Sequence, residues 1–150
     1  MQNIILPFRL NNTWFGLELD LIKNVDSCGN ISMMPNMQAP LIGLIQKHGT
    51  IFPVWSLFHL VGGKSSDVET CLLHIEIKIK DKITIIPVHE VLPVTQKVTG
   101  WIPMVKYGLH MFRFLDKKAP QSINDIQEIP VEHIFQYETP ISNFQVEELQ

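Results

Sequence analysis

Six histidines are the residues of this chain whose type could bind a metal ion or transfer a proton. They are His48, His59, His74, His89, His110 and His133. Histidine nitrogens hold zinc when several converge, as in an HExxH helix, but no such spacing occurs in the sequence. We interpret the carboxylates near these histidines as pointing to opposite faces of strands. We therefore expect surface or packing histidines and no metal site.

Two cysteines, Cys28 and Cys71, could act as thiol nucleophiles or metal ligands. No CxxC pair occurs, which excludes a zinc ribbon and a thioredoxin-like site. A disulfide between them is one alternative, which the sequence leaves open because it gives no Cα distance. Our interpretation is that both are buried free thiols in a reducing cytosol. A nucleophile pair of Cys71 and His74 is excluded, because positions three apart on a strand face opposite sides.

Motifs for enzymatic chemistry are absent from the sequence. It contains no GxSxG, no Walker loop and no dinucleotide glycine fingerprint. We therefore expect a protein that is not an enzyme and binds no cofactor.

Charge and hydropathy exclude two classes of partner. The formal net charge is -3, and the 12 Lys and Arg residues are scattered, so we expect no nucleic-acid binding. The short basic run of Lys78, Lys80 and Lys82 fits the solvated face of an alternating strand. No signal peptide or apolar stretch of about 20 residues occurs, so we predict a cytoplasmic protein without membrane insertion.

Strand patterns dominate the chain. Residues 4–10 and 13–19 predict an opening hairpin across Asn11-Asn12, and Pro7 indicates an edge or bulged strand because proline donates no hydrogen bond. Residues 73–80 alternate apolar and polar side chains, a period of two that is typical of a strand. Ten prolines and eight glycines divide the rest into short pieces, as in sandwiches and barrels.

Helix patterns are few and short. Residues 56–61 predict a short helix with Ser56 as a possible N-cap and a stop at Gly62-Gly63. Residues 130–135 could form a single turn, whereas 64–69 and 119–128 are expected to be polar loops. With no repeat or linker, we predict one domain over residues 1–137 and an acidic C-terminal tail over 138–150.

The segment 39–58, APLIGLIQKHGTIFPVWSLF, resembles the signature of CheW-like domains of bacterial chemotaxis coupling proteins. In that signature a proline-led stretch enters a G-V-x-N-L-R-G strand, and the next strand ends in P-V-x-D-L before a short helix that stops at glycine. The matching positions here are Gly43, Gly49, Pro53, Leu57 and Gly62.

The resemblance implies a mostly β fold, in which two small five-stranded SH3-like β-barrels with short helices pack over a shared hydrophobic core. It also implies a non-enzymatic adaptor that couples the chemoreceptor cytoplasmic tip to the regulatory domain of a CheA-type histidine kinase. The alternative is a divergent CheW-like scaffold module that binds another partner, such as a kinase paralogue or a localisation protein.

By resemblance, the receptor-facing positions are Ile22, Asn24, Gly43 and His48. The family carries an acidic residue at the position of Asn24 and arginine at that of His48, and the two form an ion pair. Here both charges are absent together. Neutral His48 can accept a hydrogen bond from Asn24 but lacks the fixed cationic fork of arginine, so we expect an apolar groove that binds a helical partner less tightly, or a different partner. We further expect Gly43→Arg to fill that groove while the domain stays folded.

Exposed apolar residues are a second candidate for partner binding. Tryptophan is enriched at binding hot spots, and methionine makes adaptable contact surfaces. Each residue of this set could equally belong to the core or to the loop that covers it, and the sequence leaves both readings open. The set comprises Trp14, Trp55, Trp101, Met33, Met34 and Met37.

Overall fold

The computed structural model describes residues 4–97, 99–116 and 118–120, and within them the chain is built from short strands. The strands are β1 (Ile4–Leu10), β2 (Thr13–Glu18), β3 (Ile22–Ser27), β4 (Ser32–Met33), β5 (Leu41–Lys47), β6 (Thr50–Trp55), β7 (Leu73–Ile79), β8 (Lys82–Val88), β9 (Glu90–Val91), β10 (Thr95–Gln96), β11 (Trp101–Lys106) and β12 (Leu109–Phe114). Three 3-10 helices cover Leu19–Leu21, Phe58–Val61 and Ser65–Thr70. None of these described helices is long and apolar enough to cross a membrane.

The strands form two sheets of six. In the first, the order is β10-β1-β2-β12-β11, with β9 also paired to β1; in the second it is β3-β7-β8-β6-β5-β4. All described pairings are antiparallel except that of β6 with β8. The prediction of a mostly β fold in two strand units is confirmed.

The two sheets share one hydrophobic core. Phe8 and Leu17 come from the first sheet and Ile75 and Ile85 from the second, and all four are fully buried in the same cluster. Strand alternation explains this core, since residues two apart on β7 face the same side. The second sheet also curls. The contact between Lys47 at the end of β5 and Asp26 on β3 shows this curvature. Full closure of each sheet into a barrel stays a prediction.

Three local predictions differ from the structure. Pro7 lies on β1, which pairs with strands on both sides and is therefore not an edge strand. On one side the paired strand changes from β10 to β9 at Pro7, so the missing N–H of the proline leaves no strand hydrogen bond unmade. The short helix begins at Phe58, and Ser56 accepts a hydrogen bond from the Phe58 N–H at 3.3 Å. Residues 65–70 form a 3-10 helix, because Asp67 accepts the Lys64 N–H at 2.9 Å and closes the turn.

The tryptophans divide between core and surface. Trp14 and Trp101 are buried, whereas Trp55 is half-buried. Met33, Met34 and Met37 are among the exposed apolar residues. The predicted turn at 130–135, most of the loop at 119–128, His133 and the tail at 138–150 lie outside the described residues.

Candidate protein-binding site

The four predicted site residues lie on three parts of the second sheet. Ile22 and Asn24 are on β3, Gly43 is on β5, and His48 is in the turn from β5 to β6. Ile22 is 5% exposed and belongs to the core, and Gly43 is also buried. Asn24 is half-buried and His48 is exposed. Of the predicted contacts, the side chains of Asn24 and His48 are therefore the two that a partner could reach.

Gly43 is required by the backbone of the neighbouring strand. It pairs with Met33 of β4, and a Cβ at this position would overlap the Ser32 carbonyl oxygen and lie 3.1 Å from the Met33 Cα. The missing side chain thus permits β4 to approach. The space expected to be an open groove at Gly43 is therefore occupied by β4, which an added side chain would displace, and the effect of Gly43→Arg on binding and folding stays a prediction.

His48 occupies a tight hairpin turn. Its φ of 53° and the Gly49 φ of 78° place both central residues in the left-handed region, as a two-residue type I′ turn requires. Asn24 donates from Nδ2 to Glu76 Oε2 at 3.5 Å, and the hydrogen bonds of the described residues include none between Asn24 and His48. The expected pair is replaced by a contact to another strand.

A charged cluster, largely buried except at Asp26, whose side chain is 48% exposed, lies beside Asn24. Lys47 forms ion pairs with Glu76 and with Asp26 Oδ2, the latter at 2.9 Å, and His74 Nε2 lies 3.3 Å from Glu76 Oε2. We call Asp26, Lys47, His74 and Glu76 the Lys47 cluster. The side chains of Lys47 and Glu76 are 15% and 11% exposed, and His74 is 1% exposed. The cluster joins three strands, β3, β5 and β7.

Strand register brings the cluster together. On β3 and β7, Asn24 is opposite Glu76 and Asp26 is opposite His74. Residues two apart on a strand share a face, so all four side chains lie on the same side of this strand pair. Lys47 then reaches that side from the end of β5, because the sheet curls.

The ion pairs outweigh the cost of burial. Burial alone would raise the pKa of Glu76, but hydrogen bonds to His74 and Lys47 and the Lys47 charge lower it to about 2. Burial raises the pKa of Asp26, but hydrogen bonds from Lys47 and from the Ser27 N–H lower it by more in total. The pKa of Asp26 is therefore below its ordinary value. Burial lowers the pKa of Lys47, but the hydrogen bonds and charges of Glu76 and Asp26 raise it by more, so its pKa is above the ordinary value. Both carboxylates and the ammonium are therefore charged at neutral pH.

Sequence reasoning missed this cluster. The interpretation that carboxylates near the histidines face away from them is wrong for Glu76, which is two residues from His74 on one strand. That alternation was visible in the sequence. What the sequence could not show is that Lys47, next to His48, crosses to β3 and β7 and supplies the cation of the site.

The other histidines of the described residues lie apart from one another. His59 contacts the Tyr107 hydroxyl at 2.6 Å, while His89 accepts the Asn11 N–H at 3.0 Å and His110 is exposed on β12. Within residues 4–97, 99–116 and 118–120, no three His, Cys, Asp or Glu side chains are grouped so as to hold a metal ion.

Comparison with known proteins identifies the family. The sequence model of the CheW-like domain matches residues 5–106. The chain belongs to the CheW-like domain family. No curated protein matches the chain. Among solved structures, the fold is similar to that of the scaffolding protein TtCheW from Thermoanaerobacter tengcongensis, with a TM-score of 0.54 and 20% sequence identity over 73% of this chain and 86% of that one.

The positions at which this chain differs from the family signature lie within the matched domain. It runs from β1 to the end of β11 and therefore includes Asn24, His48 and the whole Lys47 cluster. This CheW-like domain thus carries an ion pair, Lys47 with Asp26, whose members lie one residue before His48 and two residues after Asn24.

Proposed function

We propose that this chain is a non-enzymatic cytoplasmic adaptor of chemotaxis signalling that couples chemoreceptors to a CheA-type histidine kinase. Its membership of the CheW-like family over residues 5–106 is the observation that carries the proposal. The similar fold of a protein described as a scaffold supports it. In such an adaptor the domain binds two proteins and transfers no chemical group.

The receptor-binding surface in this proposal is centred on the side chains of Asn24 and His48. Lys47 precedes His48 in the chain and pairs with Asp26, two residues after Asn24, so the cluster ties the two positions to each other. Charge pairs with 15% or less exposure on Lys47 and Glu76 resist screening by salt. The receptor tip would therefore meet a pre-organised surface, which lowers the entropy cost of binding.

The kinase-binding surface would be the end of one strand unit, which docks against a similar unit of the kinase regulatory domain. Receptor and kinase could then bind at the same time.

A second candidate function is a CheW-like module that binds a different partner. The observation that favours it is the chemistry at the surface, since a neutral amide and an imidazole replace the acidic residue and the arginine of the family. Arginine offers a fixed fork of donors that histidine lacks. A receptor tip that depends on that fork would bind this chain weakly.

Calorimetry tests the proposal. It measures binding of this chain to the chemoreceptor tip and to the CheA-type kinase regulatory domain encoded by the same organism. Micromolar binding to both supports coupling, whereas binding to neither favours the second candidate. The double variant Asn24→Glu with His48→Arg should strengthen receptor binding, with His48→Arg alone as the matched control. The single variant Asn24→Glu should destabilise the domain, because it adds a third carboxylate within reach of one lysine.

A further inference from the structure

The outer surface of β5 and β6 carries an apolar face, of which Trp55 also packs against the core while Leu44, Ile51 and Pro53 do not. Leu44 is directly opposite Pro53, and Gln46 is opposite Ile51, so these side chains share one side of the hairpin. Ile51 is 63% exposed, and Leu44 and Pro53 are half-buried. Trp55 follows on the same side by strand alternation. We call these five residues the outer β5–β6 face.

The turn from β11 to β12 extends this face at the Trp55 end. The Tyr107 ring meets Trp55 edge-on at 6.1 Å between centroids, and its hydroxyl lies 2.6 Å from His59 Nε2. Lys106 Nζ lies 5.6 Å from the centre of the Tyr107 ring. Aromatic side chains with a polar tip are frequent anchors of protein interfaces.

The charge of this region is one-sided. The chain has 15 Asp and Glu residues, yet none lies between Asp26 and Asp67, the stretch that forms β4, β5 and β6. His48, His59 and Lys106 lie at the two ends of the face. Burial and then the charge of Lys106 lower the pKa of His59, so Lys106 is the charged group at this end of the face at neutral pH.

We propose that the outer β5–β6 face docks a protein segment that combines apolar side chains with carboxylates. Apolar residues would cover Ile51 and Leu44, and acidic residues would lie beside Lys106 and the histidines. A membrane surface fits less well, because lipid binding through charge takes a cluster of about four to eight Lys or Arg residues. Lys47, the nearest other cation, is already paired with Asp26 and Glu76.

The fluorescence of half-buried Trp55 in the full chain reports on this docking, since Trp14 and Trp101 are buried. Three synthetic peptides of equal length serve as probes: one of Leu and Glu, one of Leu and Lys, and one of Ser and Glu. The Leu–Glu peptide should change the emission in a saturable way, and the other two should not. Lys106→Glu should weaken its binding several-fold, because it reverses the favourable charge.

Ile51→Asp is the decisive variant, because this exposed side chain can change without unfolding the domain. It should weaken Leu–Glu binding by about tenfold or more. Leu72→Asp is the matched control, since Leu72 is 80% exposed just before β7, outside the outer β5–β6 face, and it should change binding by less than about twofold. Binding of all three peptides alike, no binding of the Leu–Glu peptide, or an unchanged affinity in Ile51→Asp would overturn the proposal.

Two further measurements distinguish the proposed protein segment from a membrane and from a second copy of the chain. Vesicles of anionic lipid that bind the chain through Ile51 would replace the proposal with a membrane site. Sedimentation showing a dimer that Ile51→Asp converts to a monomer would replace it with self-association. Loss of receptor or kinase binding leaves this proposal untouched, because its probes are the peptides alone.

Discussion

The two ends of β5 are held in place by opposite means. At its start, Gly43 has no side chain and β4 lies directly on the backbone. At its end, Lys47 carries a long charged side chain that is buried between carboxylates of β3 and β7. One end depends on the absence of atoms and the other on the pairing of charges.

The two ends of β5 should lose stability for different reasons. The start is limited by space, so any side chain at Gly43 harms it regardless of pH or salt. The end is limited by electrostatics, so it depends on the partner charges and on pH. Variants at the two ends should therefore separate a steric cause of stability from an electrostatic one.

The largest effect is expected for Gly43→Ala. The new Cβ would overlap the Ser32 carbonyl oxygen, and backbone cannot yield as a flexible side chain can. We expect a loss of more than about 3 kcal/mol in the free energy of unfolding, measured by urea denaturation. Gly29→Ala is the control, because its Cβ would meet only Ile45 Cδ1 at an ordinary 3.5 Å and should change stability by less than about 0.5 kcal/mol. Equal stability of the two variants would contradict the steric account.

At the other end, Lys47→Met should cost about 3 kcal/mol in the free energy of unfolding, because it leaves Glu76 buried without its cation. Lys47→Arg should recover most of this loss. The double variant Lys47→Met with Glu76→Leu should also be more stable than Lys47→Met alone, since no charge is then left unpaired. A double variant no more stable than Lys47→Met alone would show that the ion pair is not the source of the effect.

Acid should weaken the same end of β5. In the folded chain the pKa of Glu76 is lowered from its ordinary value of 4.5 to about 2. The stability that this shift provides is present above pH 4.5 and is lost as pH falls through about 2. The shift corresponds to about 3 kcal/mol at most, and residual exposure lowers the expected loss to about 2 kcal/mol.

Urea denaturation between pH 7 and pH 2 measures this loss, with Glu76→Gln as the control. The variant should be less stable than the parent at neutral pH, and the two should converge as Glu76 becomes protonated. Parallel pH profiles for parent and Glu76→Gln would assign the acid sensitivity to other carboxylates.

The sequence predicted the fold better than it predicted the site. Strand alternation in 73–80 indicated β structure, because such a pattern depends on neighbours in the chain. The positions of Gly43, Gly49 and Pro53 carried the family resemblance, which implied the rest of the mostly β fold. The Lys47 cluster depends instead on how a sheet curls, which brings β5 to β3 across three intervening strands. No local pattern in the sequence records that curvature.

The same limit applies to Gly43 and His48. A glycine in a strand indicates either an open groove or a close backbone contact, and only the position of β4 decides between them. By resemblance His48 takes the position of the family's arginine, and the structure places it in the turn from β5 to β6. The four receptor-facing positions stay a prediction, and the contacts that Asn24 and Gly43 make are determined by tertiary structure.

The smallest effect, a change of reactivity without a change of fold, concerns the thiol beside the start of β5. Burial, followed by the charges of Cys28 and Asp67, raises the pKa of Cys71 to about 12. Cys71, Cys28 and Met33 of β4 line a cavity of about 470 Å³. Because the thiolate is the reactive form, alkylation of Cys71 by iodoacetamide at pH 8 should be about a thousandfold slower than that of an ordinary thiol. The less buried Cys28 should react first, as mass spectrometry of a time course would show.

Substitutions at the two ends of β5 should then affect this rate differently. Lys47→Met should raise the rate at Cys71 by no more than its loss of global stability explains, since labelling follows the population of open molecules. Gly43→Ala should raise it further, because displacement of β4 moves Met33 away from the cavity and opens it locally. If both variants follow global stability alone, β4 does not protect Cys71, and the two ends of β5 differ in energy but not in what they cover.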